Sequence, residues 1–229
     1  MNKTDVIIVG GGAAGLMCAI EAGKRKRSVI LLEHNEAIGK KIRISGGGRC
    51  NFTNILTAER NFLSDNERFM TSALARFTPE DFIDLVEEHE IAYHEKTLGQ
   101  LFCDESAQDI IGMLKKECDL VRVRIVLNSH VNAVVKNEKF VVQTTQGDFQ
   151  GQSLVVATGG LSIPTLGASD FGYSVAKQFG IKVNVCRPGL VPVTFKTKDL
   201  DLFKTLSGVS LDVIVSINGK NSFREKMLF

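Results

Sequence analysis

At 229 residues with a formal charge of +2, the chain can hold one large domain or one and a half, and its global charge gives no sign of nucleic-acid binding. An apolar content of 44% supplies a globular core, while the lack of any uninterrupted run of 18 apolar residues argues against a transmembrane helix. Five scattered cysteines (Cys18, Cys50, Cys103, Cys118, Cys186) with no C-x-x-C, and four histidines in no ligand spacing, argue for reduced thiols and against a metal site.

In chain order, Val6-Ile7-Ile8-Val9 reads as a buried parallel strand that runs into Gly10-Gly11-Gly12-Ala13-Ala14-Gly15. Gly10 allows the tight turn, Gly12 lets a pyrophosphate approach the backbone, and Gly15 lets the following helix pack on the strand. That helix covers residues 13–22, with the amides of Ala13 and Ala14 at its phosphate-facing end. A second apolar run, Val29-Ile30-Leu31-Leu32, ends at Glu33, 18 residues beyond Gly15 and close to the spacing of about 20 expected for a ribose-binding acid. An N-terminal basic residue, apolar core and small residues also mimic a secretory leader. Glycines split that core where a nucleotide fold needs them, so a soluble, cytoplasmic protein is expected. The basic run 24–27 reads as a solvated helix end rather than a phosphate patch, since no aromatic residues interleave it.

Residues 34–54 read as loop or short helix, and 57–66 as an excursion. Helices are expected over 67–77, over 79–90 with Thr78 as N-cap and Pro79 in the first turn, and over 106–118. Strands follow at 121–127, 131–136 and 140–145, the last two joined as a hairpin by Asn137-Glu138-Lys139. A buried strand over 154–157 leads into Thr158-Gly159-Gly160, and a helix over 171–180 ends on glycine. Beyond Pro188 and Pro192 the pattern becomes antiparallel β, with Asn218-Gly219 as a hairpin turn.

Two further motifs bear on chemistry. In Lys40-Lys41-Ile42-Arg43-Ile44-Ser45-Gly46-Gly47-Gly48-Arg49-Cys50-Asn51, three glycines expose backbone amides among basic side chains suited to a diphosphate or an anionic ring. Ala157-Thr158-Gly159 at a strand end looks like the turn that passes the cofactor in two-part FAD domains, and Val131 sits where such domains hold adenine with backbone groups. Cys50 is the one weak candidate for a proton donor, because Arg49 and nearby amides could lower its pKa, with a buried structural thiol as the equal alternative. His94, Tyr93 and Cys103 receive no catalytic role.

Together these residues resemble the BaiN/YhiN-like flavoprotein family of NAD(P)/FAD-dependent, aminoacetone-oxidase-like proteins, and most of all its proteobacterial YhiN branch. The resemblance runs across the whole chain and rests on residues 9–15, 40–54, 94–102, 155–172 and 189–195, with 44–51 the most distinctive. It implies an α/β, Rossmann-like FAD-binding domain of the two-dinucleotide-binding-domain flavoprotein type over 1–188, and the start of an inserted antiparallel β domain over 189–229. FAD would be held by Gly10, Gly12, Ala13, Ala14, Gly15, Glu33, Lys40, Lys41, Ser45, Gly46, Gly47, Gly48, Arg49, Cys50, Asn51, Val131, Ala157, Thr158 and Gly159. NAD(P)H is the expected transient electron donor, with no metal. The implied reaction reduces an activated C=C bond in a small enone or in a uridine of large-subunit ribosomal RNA. Alternatives are an oxidase of a small amine or ketone, a non-catalytic nucleotide-binding fragment, and an NAD-dependent dehydrogenase. Family members are longer, so this chain is expected to be the N-terminal part of such an enzyme. The family's usual glycine before the second strand is here Lys26, which, if left-handed, costs roughly 1 kcal/mol.

Overall fold

The computed structural model describes residues 1–163, 168–188, 194, 196–217 and 221–228. Two compact units divide the chain, 1–183 and 184–229.

The first unit is organised by a six-stranded sheet. Strand β1 (Asn2–Val9) is followed by helix α1 (Ala13–Lys24) and strand β2 (Val29–Leu32). β1 pairs in parallel with β2 on one side. On its other side it pairs in parallel with β9 (Gly147–Val156), a partner more than 140 residues away. β6 (Arg124–Val126) extends the parallel part beyond β2, while β7 (Val131–Lys136) and β8 (Phe140–Thr144) form a hairpin that pairs antiparallel with β9. The strand order is therefore β6-β2-β1-β9-β8-β7.

Alternation along the central strands sorts side chains to opposite faces of the sheet. Ile8, Val29 and Leu31 pack with Leu16 and Ile20 of α1 and with Ile110 and Leu114 of α5 (Ala107–Leu120). Ile7, Val9, Ile30 and Leu32 pack with Val142, Phe149 and Val175, the last on α6 (Phe171–Gln178). Burial on both faces explains why the β1 and β2 cores read as continuous apolar runs.

A smaller antiparallel sheet stands beside this core. Its order is β3 (Asn51–Asn54), β5 (Gln100–Cys103), β4 (Tyr93–Glu95). None of its strands is expected from sequence, because each spans only three or four residues. The short helix α2 (Lys40–Ile44) and a 3-10 turn over Ser45–Gly48 connect β2 to it. In the second unit, β10 (Ser210–Ile217) pairs antiparallel with β11 (Asn221–Leu228), preceded by α7 (Thr197–Lys204). The Asn218-Gly219 turn and Pro192 lie outside the described residues. No helix among the described residues is long and apolar enough to cross a membrane.

Several boundaries differ from expectation. The helix expected over 67–77 is only α3 (Thr71–Arg76), because the Asn66 side chain accepts a hydrogen bond from the Arg68 amide and holds a turn there. α4 (Pro79–Glu88) starts as expected, with Thr78 and Asp81 exchanging capping hydrogen bonds. The strand expected over 121–127 shrinks to β6, since Val121 and left-handed Arg122 form the turn that closes α5. The strand over 154–157 is the last part of β9, and Val156 is 37% exposed rather than buried.

Four helices end in one way: a left-handed residue follows the helix, its amide bonds three residues back, and the next amide bonds five back. Only one of the four, Gly180, is a glycine. The other three are Lys26 (φ 59°), Glu90 (φ 55°) and Arg122 (φ 59°). Lys26 is thus left-handed, its turn closed by Lys26 N–H to Gly23 O and Arg27 N–H to Ala22 O. Lys26→Gly is expected to raise stability by about 0.5–1 kcal/mol, measured by urea unfolding. No gain would mean that the lysine stem offsets its backbone strain.

Candidate functional site

The strand ends make the site. β1, β2 and β9 run parallel, so their C-terminal ends open on one edge of the sheet, where α/β folds place ligands. A cleft of about 870 Å³ lies there, lined by residues 9–14, 32–35, 40–42, 129–131, 156–159, Ala168, Ser169 and Phe171. It gathers the first glycine turn, the acid after β2, the start of α2, the start of β7 and the turn after β9.

The glycine turn is shaped by close backbone approaches. A Cβ on Gly10 (φ 111°) would stand 2.4 Å from the Ala157 carbonyl oxygen. One on Gly15 would stand 1.9 Å from the Gly10 carbonyl oxygen, so α1 can sit on the strand only if residue 15 is glycine. Gly12 faces open space, with nothing within 4 Å of its Cβ position. It also caps α1 without a side-chain hydrogen bond, and the first turn of α1 has no acidic residue. The helix therefore presents its first amides and its positive dipole end to the cleft with no carboxylate in its own first turn.

Glu33 is 6% exposed, and its carboxylate is tied to both neighbouring segments. Oε2 accepts the Gly11 amide at 2.7 Å, and Oε1 accepts the Asn35 amide at 2.8 Å. Ser129 donates its amide to the Glu33 carbonyl at 2.9 Å, linking the acid to the entry of β7. His34 and His130 meet edge to face at the wall, ring centroids 5.7 Å apart. On the other side Lys41 Nζ donates to Ser162 Oγ at 3.1 Å, which puts the ammonium next to the turn after β9.

Of the residues expected to contact a cofactor, Gly10, Gly12, Ala13, Ala14, Glu33, Lys40, Lys41, Val131, Ala157, Thr158 and Gly159 line the cleft. Gly15 lies behind it as a packing residue. Ser45, Gly46, Gly47, Gly48, Arg49, Cys50 and Asn51 are not part of the lining. Their turn packs instead on the small sheet, where a Cβ on Gly46 (φ 59°) would stand 2.7 Å from the Phe102 ring. The lining also includes Asn35, His34, Ser129 and His130, which are not among the residues expected from sequence. Their position directly after the acid and directly before Val131 was the available signal.

Cys50 requires a correction. It is 5% exposed and belongs to the core with Cys103 and Cys118. Burial pushes its thiol pKa up, opposed only in part by a hydrogen bond with Ser45, so it is not a thiolate poised by Arg49. Burial likewise pushes Cys103 to about 12 and Cys118 to about 11. Alkylation at pH 8 should therefore modify the exposed Cys186 first and the three buried thiols on the order of 100-fold more slowly, read by mass spectrometry. Raised folded-state values also stabilise the fold fully below the free-thiol range near about 8.5. That contribution is lost as pH climbs towards 11 and 12, because only the unfolded chain releases these protons early.

The residues present suit a dinucleotide. A buried acid, an uncapped helix N-terminus facing open space and two lysines are groups that could hold a ribose, a diphosphate and its charge, and they share one cleft. Among the described residues, the hydroxyls of Ser129 and Thr158 at the cleft wall are also buried without a hydrogen-bond partner. No group of three or more His, Cys, Asp or Glu among the described residues could hold a metal.

Comparison with known proteins agrees with this geometry. The family described as HI0933-like protein Rossmann domain matches residues 4–223. A ribosomal RNA dihydrouridine synthase of Escherichia coli (strain K12) is 49% identical over 230 residues, covering 100% of this chain and 58% of that protein. A 3-dehydro-bile acid delta(4,6)-reductase of Clostridium scindens is 28% identical over 221 residues, covering 94% of this chain and 52% of that protein. The chain thus spans less than two thirds of the length of these relatives. Among solved structures, the open conformation of a flavocytochrome c3 fumarate reductase matches with a TM-score of 0.53 at 22% identity, over 77% of this chain and 40% of that one. That likeness shows the fold alone: a Rossmann-like arrangement shared with a flavoprotein.

Proposed function

The chain belongs to the HI0933-like protein Rossmann domain family, and from that premise we propose that it forms the FAD-binding part of a flavin-dependent oxidoreductase. The observation that supports this best is the convergence of the glycine turn, buried Glu33 and the Ala157–Gly159 turn on one cleft. In this reading Gly12, Ala13 and Ala14 present backbone amides to the diphosphate, and Lys40 and Lys41 balance its charge. Glu33 accepts from the adenosine ribose, Val131 offers backbone groups to adenine, and Ala157–Gly159 runs along the cofactor. The turn 45–51, outside the cleft lining, is assigned to the same cofactor on the resemblance alone. In this reading residues 189–229 belong to an inserted β-rich domain, while the compact units divide five residues earlier, between 183 and 184.

When bound, FAD supplies the hydride chemistry. The residues of this chain bind, orient and exclude water. Cys50 is not assigned the proton, since its thiol is buried in the core and lies outside the cleft lining. The proposed reaction is reduction of an activated C=C bond, with NAD(P)H as electron source. A uridine of large-subunit ribosomal RNA is the substrate favoured here, supported by the name of the 49%-identical relative. A steroid-like enone is the second substrate class, supported by the name of the 28%-identical one. The RNA substrate would place the protein in the cytoplasm.

The test is a visible absorption spectrum with and without added FAD, followed by turnover with NADPH and unmodified ribosomal RNA. A perturbed flavin spectrum with dihydrouridine formation would support the full reading. Folded protein that leaves the FAD spectrum unchanged would remove its basis. Rapid reoxidation by air without any C=C reduction would favour the oxidase alternative.

A further inference from the structure

Glu33 is held by more donors than a glycine fingerprint explains. An ionised carboxylate has about four lone-pair positions. Oε1 accepts twice from the next residue but one, from the Asn35 amide at 2.8 Å and from Asn35 Nδ2 at 2.7 Å. His34 Nδ1 approaches the same oxygen at 3.2 Å. Among the described residues Oε2 accepts only the Gly11 amide, at 2.7 Å. The Asn35 backbone is itself fixed, because its carbonyl accepts the Asn128 amide at 2.9 Å. One oxygen is therefore saturated by the protein, and the other keeps a single free acceptor position beside the cleft.

We propose that Asn35 is a positioning residue, which saturates one oxygen of Glu33 and so presents the other as a single, fixed acceptor for one ribose hydroxyl of the bound dinucleotide. This rests on the FAD reading above. The physical reason is entropic as well as electrostatic. A carboxylate free to rotate loses freedom on binding, whereas one clamped by Asn35 has already lost it.

The role is tested by titrating FAD, followed by flavin fluorescence, against the unaltered protein, Asn35→Ala, Asn35→Asp, Glu33→Gln and the pair Glu33→Gln/Asn35→Ala. Asn35→Ala should weaken FAD about tenfold, the size of one charge-assisted hydrogen bond. Asn35→Asp should weaken it further despite its closer shape, because a second carboxylate would face Glu33. A residue serving only as packing would give the reverse order. In the Glu33→Gln background Asn35→Ala should add little, since Asn35 acts through the acid. Thermal unfolding without FAD checks that each variant is folded. Equal affinity in Asn35→Ala, or fully additive losses in the pair, would overturn the positioning role while leaving the FAD reading in place. No FAD binding by the unaltered protein would overturn both.

Discussion

Gly15→Ala is expected to destabilise the first unit by about 3 kcal/mol or more, which lowers the unfolding midpoint by roughly 10 °C. The added methyl would lie 1.9 Å from the Gly10 carbonyl oxygen. Relief is not local, because Gly10 is pressed against the Ala157 carbonyl on its far side. Backbone of the β1 end, the α1 start and the β9 end are interlocked here with no flexible side chain to yield. Gly12→Ala is the matched control. Its Cβ meets nothing within 4 Å and its φ of −86° suits alanine, so the fold should lose less than about 1 kcal/mol. FAD affinity should nevertheless fall, because the methyl enters the space left for the diphosphate. Thermal melts and flavin titrations of both variants check the contrast. A Gly15→Ala protein as stable as the parent would show that α1 can shift away from the strand.

Glu33→Ala carries the second large effect, on stability and on binding together. It leaves the Gly11 amide, the Asn35 amide and Asn35 Nδ2 without their acceptor at a site only 6% exposed. The expected cost is about 2–3 kcal/mol, less where water enters the vacated space. FAD affinity should drop by at least about 100-fold, since the ribose acceptor and the organisation of the glycine turn are lost together. Urea unfolding gives the first number and flavin titration the second. An affinity within threefold of the parent would remove Glu33 from the proposed site.

These two residues also show how much of the site was legible in advance. Gly15 and Glu33 follow from a short strand, a glycine turn and a fixed spacing, all inside one βαβ unit whose geometry is locally determined. The three residues at 45, 49 and 51 looked like lining by the same kind of local chemistry. The fold sets this turn outside the cleft lining and against the small sheet, where a Cβ on Gly46 would meet the Phe102 ring and the Arg49 carbonyl accepts the Cys103 amide, contacts between segments some 50 residues apart. Cys50 failed as a poised thiol for a related reason. Its neighbours in sequence are charged and polar, but its neighbours in space are the buried apolar side chains of the main core.

By itself the sequence determined the β1-α1-β2 unit, the capped α4, the β7-β8 hairpin and the order of the chemical groups along the cleft. Each of these is set by φ/ψ preference and by burial periodicity over a few residues. Only the tertiary structure decided that β9 begins at Gly147 and runs beside β1, that Val156 is exposed where the cleft opens, and that Asn35 clamps Glu33. Left-handed Lys26, Glu90 and Arg122 belong with these, since packing of the helices they end outweighs a local strain of about 1 kcal/mol. Strand partners and clamps of this kind gain their energy from groups brought together only after distant segments dock, and no local pattern encodes that gain.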